Sequence, residues 1–227
     1  AFDLSEMDGA TYTASLKWKI GCSNMDLTSG ADGCVSPVAG QNFSRLAQTW
    51  SAPQVFTVGG YSSGGIKKPL LMMGGGYDPC EDADPITTTC RDSSKGDVVY
   101  VIDADTGSKL LELPTDRGVA ADVLIVPDTT TGLAKYAYAV DLGGNVYRIH
   151  ATQTVTIEGE TVTQVIPFGN IPPANWHITK IASLGCDDVT DKCPTDDALS
   201  AGDMNRKFTP QPDPRDPWWT PAAPAPY

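Results

Sequence analysis

The sequence predicts an all-β chain and, within that class, a partial β-propeller carrying disulfide-stapled loop insertions. Three observations lead there. Short apolar or alternating runs recur, each closed by an Asp- and Gly-rich turn, as in Val99-Tyr100-Val101-Ile102 before Asp103-Ala104-Asp105-Thr106-Gly107, or Tyr138-Ala139-Val140 before Asp141-Leu142-Gly143-Gly144. No stretch longer than two helical turns carries a 3.6-residue apolar period, which removes the helical classes. Six cysteines, an even number, bracket segments of loop composition. A β-sandwich is the rival, since short strands with frequent turns fit both; the repeated four-strand unit favours the propeller. A propeller ring needs several blades and this chain spells roughly two, so it belongs to something larger or pairs with something else.

Taken in order, residues 11–20 alternate with Leu16, Trp18 and Ile20 on one face, the pattern of a half-buried outer strand of a preceding blade. Residues 50–58 open a new blade, and Gly59-Gly60-Tyr61-Ser62-Ser63-Gly64-Gly65 turns it back. The run 70–73 is too short for a helix and suits a strand buried on both faces. An insertion over 78–95 interrupts the blade, 98–102 resumes it, 103–107 is a tight turn, and 110–113 is the fourth strand. The pattern restarts with strands at 119–126, 136–140, 146–150 and 164–168, and a third blade begins at Trp176. Prolines from Pro210 to Pro226 exclude a central strand, so residues 1–208 form the propeller segment and 209–227 a Pro-rich tail, expected to be either extended and polyproline-like or disordered.

Composition narrows the function classes. A net charge of −12, spread through the loops, disfavours nucleic acid and anionic membranes as partners. No apolar run approaches the ~18 residues of a membrane-spanning helix, so no membrane insertion is expected. The start lacks a basic and apolar leader, so the chain reads as a mature product or an excerpt. The cysteines form neither zinc knuckles nor a haem attachment site. Three local pairings offer themselves: Cys22 with Cys34, Cys80 with Cys90, and Cys186 with Cys193, each around a Gly-, Asp-, Thr- or Ser-rich segment. Closing a loop of about ten residues is worth roughly 2–3 kcal/mol. Such cysteine usage implies the periplasm or the cell exterior.

Catalysis finds little support. His150 and His177, the only histidines, stand near no G-x-S-x-G or H-E-x-x-H motif. The acidic groups Glu81, Asp82 and Asp84, then Asp187, Asp188 and Asp191, then Asp196 and Asp197, follow no EF-hand spacing and read as solvated faces. The aromatic end, Trp218-Trp219 and Tyr227, is either a docking segment or a loose terminus.

Five segments carry a resemblance: Trp50-Ser51-Ala52-Pro53, Gly74-Gly75-Gly76-Tyr77-Asp78, Val99-Tyr100-Val101-Ile102-Asp103-Ala104-Asp105-Thr106-Gly107, Tyr138-Ala139-Val140-Asp141-Leu142-Gly143-Gly144-Asn145-Val146-Tyr147-Arg148, and Asn205-Arg206-Lys207-Phe208. With these, residues 50–208 resemble the C-terminal propeller of the PilY and neisserial PilC family, type IV pilus biogenesis and tip-adhesin proteins. Alone, the D-x-x-T-G turn is shared by any quinoprotein-like blade. The resemblance implies adhesion and control of pilus extension or retraction at a filament tip, with minor pilins, the rest of a propeller and a host or surface receptor as partners. It implies an extracellular or cell-surface location after passage through the periplasm, and no catalysis.

The resemblance also implies a calcium loop of the D-x-[DN]-x-D-G-x-x-D kind before the Y-A-x-D-L-x-G-N strand. Here that place reads Asp128-Thr129-Thr130-Thr131-Gly132-Leu133-Ala134-Lys135. Thr130 stands at the third ligand position and Lys135 at the closing carboxylate, so one Asp cannot supply the six to eight oxygens calcium takes. No metal and no cofactor are therefore expected. Either the Lys135 ammonium fills the cation's place against Asp128, or the two are solvated loop charges. Two functional alternatives stand beside the pilus reading: a fragment of a periplasmic quinoprotein-type dehydrogenase, which lacks here the adjacent cysteine pair of some such enzymes, and a secreted glycan-binding propeller.

Overall fold

The computed structural model describes residues 2–3, 15–22, 34–35, 38–39, 41–79, 95–157 and 160–184. Four two-residue strands come first: β1 (Phe2–Asp3) pairs with β2 (Ser15–Leu16), and β3 (Gly21–Cys22) with β4 (Cys34–Val35). The body begins with β5 (Gln54–Ser63), β6 (Ile66–Gly74), β7 (Val98–Asp103) and β8 (Lys109–Pro114), an antiparallel sheet in sequential order. A second sheet holds β9 (Leu124–Pro127), β10 (Ala134–Val140), β11 (Asn145–Ile157), β12 (Glu160–Ile166) and β13 (Trp176–Ser183).

Why β7 anchors the first sheet follows from its residues. Val98-Val99-Tyr100-Val101-Ile102 are β-branched or aromatic, suited to a pleated strand, and the whole strand is buried. Alternation sends Val99 and Val101 to one face and Val98, Tyr100 and Ile102 to the other. The first face joins Phe56, Val58, Leu70 and Met72 against Ala137, Ala139, Ile149 and Trp176 of the second sheet, making one core between the sheets. The second face packs on Phe43 and Leu46 of the segment before β5. Phe168 stacks on Trp176 with centroids 4.2 Å apart, and the Trp176 indole donates to the Ile171 carbonyl at 2.8 Å. Such an aromatic pair adds ~1 kcal/mol beyond its buried area.

Close approach of β5 to the segment between Ile166 and Trp176 depends on glycine. Gly59 and Gly60 lie within β5, where the expectation put a turn; the turn itself is at Gly64 and Gly65, both with positive φ. The Gly59 amide donates to the Gly169 carbonyl at 2.6 Å, and a Cβ on Gly60 would run into the Ile171 backbone. A glycine pair that looks like punctuation is here where the first sheet meets the connection between β12 and β13.

The second sheet corrects two further expectations. The expected strand at 119–126 is paired only from Leu124 onward; Val119 is instead a core residue whose carbonyl accepts the Gly76 amide at 3.0 Å. Trp176 does not open a third blade, because β13 pairs with β11 from Asn145↔Ser183 to Ala151↔Trp176. Ala151 is also opposite Ile166 of β12, so β12 and β13 flank β11 from opposite sides. The four-stranded unit is thus β9-β10-β11-β13, and the distal half of β11 continues past it with β12 as a two-stranded arm. The architecture shown is all-β with two antiparallel sheets packed on one core. Among the described residues the sheets do not close a ring, and no helix is long and apolar enough to cross a membrane.

Candidate functional site

The loop expected to be a degenerate calcium site joins β9 to β10. Backbone bonds from Asp128 N–H to the Leu133 carbonyl (2.7 Å) and from Gly132 N–H to the Asp128 carbonyl (2.8 Å) close it, with Gly132 at φ +69°. That left-handed position is why a glycine stands there. One carboxylate oxygen of Asp128 accepts the Thr130 and Thr131 amides, both at 3.0 Å, and the Thr131 hydroxyl at 3.1 Å. The other faces the Lys135 ammonium at 3.8 Å. The Thr131 amide, then the Thr130 amide and the Thr131 hydroxyl, hold the Asp128 carboxyl below its ordinary range, with Lys135 a lesser contributor.

Calcium needs several anionic oxygens free to converge. Here one carboxylate is spent on its own turn and an ammonium faces what remains, so the residues present do not fit the ion. Thr130 contributes its amide to Asp128. Among the described residues, no three His, Cys, Asp or Glu side chains come together where they could hold a metal. Beside the loop lies a cleft of about 380 Å³ bordered by Thr131, Leu133, Lys135, Gln153 and Asn170.

The same turn is built a second time between β7 and β8. Asp103 N–H donates to the Ser108 carbonyl, Gly107 N–H to the Asp103 carbonyl, and Gly107 has φ +72°. One Asp103 oxygen accepts the Asp105 and Thr106 amides at 2.9 and 3.0 Å. The other accepts the Tyr61 hydroxyl at 2.5 Å and the Lys68 ammonium at 2.7 Å. Burial alone would raise this carboxyl; the bonds from Lys68, Tyr61, Thr106 and Asp105 outweigh it and bring it down to about 2. Burial, with the Asp103 carboxylate beside it, pushes the Tyr61 phenol up to about 12.

A third Asp-led turn explains the D-L-G-G-N-V-Y run. The buried Asp141 carboxylate accepts the amides of Gly143, Asn145 and Arg117, the Asn145 side-chain amide and the Tyr147 hydroxyl, all between 2.9 and 3.1 Å. The Tyr147 hydroxyl in turn accepts the Asp116 amide at 2.9 Å, tying the β8–β9 connection to the second sheet. Burial leads in raising the Tyr147 phenol, and the Asp141 carboxylate adds to it. Sequence reading gave Asp141 no partners; the Asn and Tyr four and six residues on were the available signal.

The remaining expected site residues fall as follows. Cys22 and Cys34 are directly opposite in the β3–β4 ladder. Cys80, Cys90, Cys186 and Cys193 lie outside the described residues, as do the acidic groups at 81–84 and 187–197 and the aromatics Trp218, Trp219 and Tyr227. His150 is buried, with Nδ1 2.9 Å from the Ala151 carbonyl and Nε2 2.8 Å from the Thr179 hydroxyl; the His177 ring is 6.1 Å away. The ring contacts given for His150 are a carbonyl, a hydroxyl and a second imidazole, with no carboxylate among them.

No family model matches the chain. Over 142 residues, 60% of this chain, it is 29% identical to the type IV pilus biogenesis factor PilY1 of Pseudomonas aeruginosa (strain UCBPP-PA14). The resemblance to PilY-type pilus proteins expected from the motifs is therefore shown in a curated relative. The match spans 11% of that relative's length. The crystal structure of the Pseudomonas aeruginosa PilY1 C-terminal domain matches 60% of this chain and 24% of its own at 22% identity, with a TM-score of 0.38, too low to carry an argument.

Proposed function

We propose that this chain, similar in sequence to a type IV pilus biogenesis factor, is a non-catalytic extracellular part of a pilus-tip protein. Its role is in pilus assembly or retraction control and in surface attachment. The observation that carries the reading is the 142-residue similarity to PilY1, which supports a role related to pilus biogenesis. The propeller belongs to the same proposal: two four-stranded units share a core, and the outer face of the first is covered by Phe43 and Leu46 as a neighbouring blade would cover it.

Minor pilins, or the blades that complete the ring, are the proposed assembly partners, and a host or surface receptor the target of attachment. The three cysteine-bracketed loops are the proposed contact surface, offered by a stiff sheet scaffold. Immunogold electron microscopy on the cells that make the protein, and on their sheared filaments, tests this. Label confined to filament tips is expected; diffuse secretion with bare filaments would overturn the reading and make a cofactor spectrum the next measurement.

A further inference from the structure

Past Ala151, strand β11 leaves β13 behind. Its distal half pairs only with β12, in a register running from Thr152↔Val165 to Ile157↔Glu160. The Asp141 amide bonds the Asn145 carbonyl, which turns the backbone groups of odd-numbered β11 residues toward β10 and β12. The N–H and C=O of Thr152, Thr154 and Thr156 therefore point the other way, along the line β13 occupies up to Trp176. Among the described residues no strand takes them up.

This edge carries none of the usual guards. Open edges are protected by charge, proline or a bulge. β8 has Lys109, Glu112 and Pro114, and β13 has Lys180. From Thr152 to Ile157 the residues are Thr-Gln-Thr-Val-Thr-Ile: uncharged, without Gly or Pro, and rich in β-branched side chains, the composition that most readily adds a strand. The arm also leaves apolar surface in water, with Ile157 49%, Val162 40% and Val165 44% exposed. An isolated two-stranded ribbon is marginal in water, and a third strand is what stabilises it.

We infer that the free edge of β11 over residues 152–157 is a β-augmentation site whose occupant is an extended segment of a different protein. That segment is uncharged along its length and basic at its flanks. Charge selects this occupant over a second copy. The arm, residues 151–166, contains Glu158 and Glu160 and no Lys or Arg, and the chain carries a net −12, so two copies repel where a basic-flanked strand is drawn in. Main-chain bonds to Thr152, Thr154 and Thr156 supply the affinity and alternate side chains the selectivity. The inference stands on sheet geometry and does not require the pilus reading.

The test uses the full chain and a synthetic peptide, Lys-Thr-Val-Thr-Val-Thr-Lys, read by amide hydrogen exchange and fluorescence anisotropy. Expected are slower exchange at Thr152, Thr154 and Thr156 on adding peptide, and binding weakened about tenfold or more by Thr154→Pro, which removes one outward N–H and no bond to β12. Unchanged exchange at those three amides at high peptide concentration would overturn the inference without reference to any variant. So would amides already slow in the free chain, which would mean that another segment of the same chain covers the edge. Concentration-dependent dimerisation in sedimentation, with the peptide inert, would assign the edge to a second copy instead. Filament labelling is independent of all these outcomes, so the two readings fail separately.

Discussion

Asp103 and Asp128 lead the same turn in two different surroundings. Each donates its N–H to the carbonyl five residues on, each has glycine four positions on with positive φ, and each spends one oxygen on the amides two and three residues ahead. They part at the second oxygen. Asp103 is buried and meets a hydroxyl and an ammonium at hydrogen-bond distance, whereas Asp128 is partly exposed and has one ammonium at 3.8 Å. Local sequence dictates the turn, and the strands delivered around it dictate what the carboxylate is worth.

Alanine at the two positions should separate most widely. Asp103→Ala strands the Tyr61 hydroxyl, the Lys68 ammonium and two amides at one stroke, and losing partners of buried polar groups costs ~1–3 kcal/mol per group before water relieves the exposed ones. The expected loss is about 3 kcal/mol in urea unfolding, since Lys68 can still reach water. Asp128→Ala should leave the urea midpoint close to the parent. Equal losses at the two positions would break the comparison.

Acid and alkali sharpen it next. Asp103 has its folded-state carboxyl lowered to about 2, so the unfolded chain takes up the proton first as pH falls. Its stabilisation is full above the unfolded value near 4 and is lost as pH falls from about 4 through about 2. Tyr61 runs the opposite way. Its folded pKa is raised to about 12, so its contribution is full below the unfolded value of about 10 and lost as pH rises through about 12. Urea midpoints from pH 2 to 7 should show an acid limb that Asp103→Asn flattens, and of the late-titrating tyrosines seen by phenolate absorbance the same substitution should bring one, Tyr61, earlier while Tyr100 and Tyr147 stay late.

How much of this was legible can be read from the residues. The strand at 98–102 and its Asp-led turn follow from β-branched composition and the D-A-D-T-G spelling, and they stand where expected. Tyr61 and Lys68 are 42 and 35 residues from Asp103, and Tyr61 had been read as part of a glycine turn. Their meeting depends on strand register: Leu70 lies opposite Asp103 in the β6–β7 pair, which brings Lys68 in, and the β5–β6 register that places Tyr61 shifts between Thr57 and Ser62. The third blade failed for a related reason. A strand of 13 residues that changes partner midway looks, in sequence, like one strand and the start of the next, so β12 was counted into the sheet and β13 out of it. At the Asp128 loop, Thr130 and Lys135 at ligand positions were legible, and they left open whether Lys135 pairs with Asp128 or both charges are solvated; the two stand 3.8 Å apart. The commitment of the other oxygen to the Thr130 and Thr131 amides was not legible, because it depends on the closed turn.

The smallest expected effect lies at that pair and decides between its two readings. If the Lys135 ammonium takes a cation's place, Lys135→Met should loosen the turn and speed amide exchange at Thr130 and Thr131. If the charges are simply solvated, exchange should hardly change. Three donors from the loop itself already saturate the inward oxygen of Asp128, and both side chains reach water, where an ion pair at 3.8 Å is screened. The expected outcome is therefore an unchanged exchange rate in Lys135→Met together with a flat calorimetric calcium titration of the parent chain. Micromolar calcium uptake abolished by Asp128→Ala would sink both readings at once, because a carboxylate committed to its own turn would then have been released to a metal.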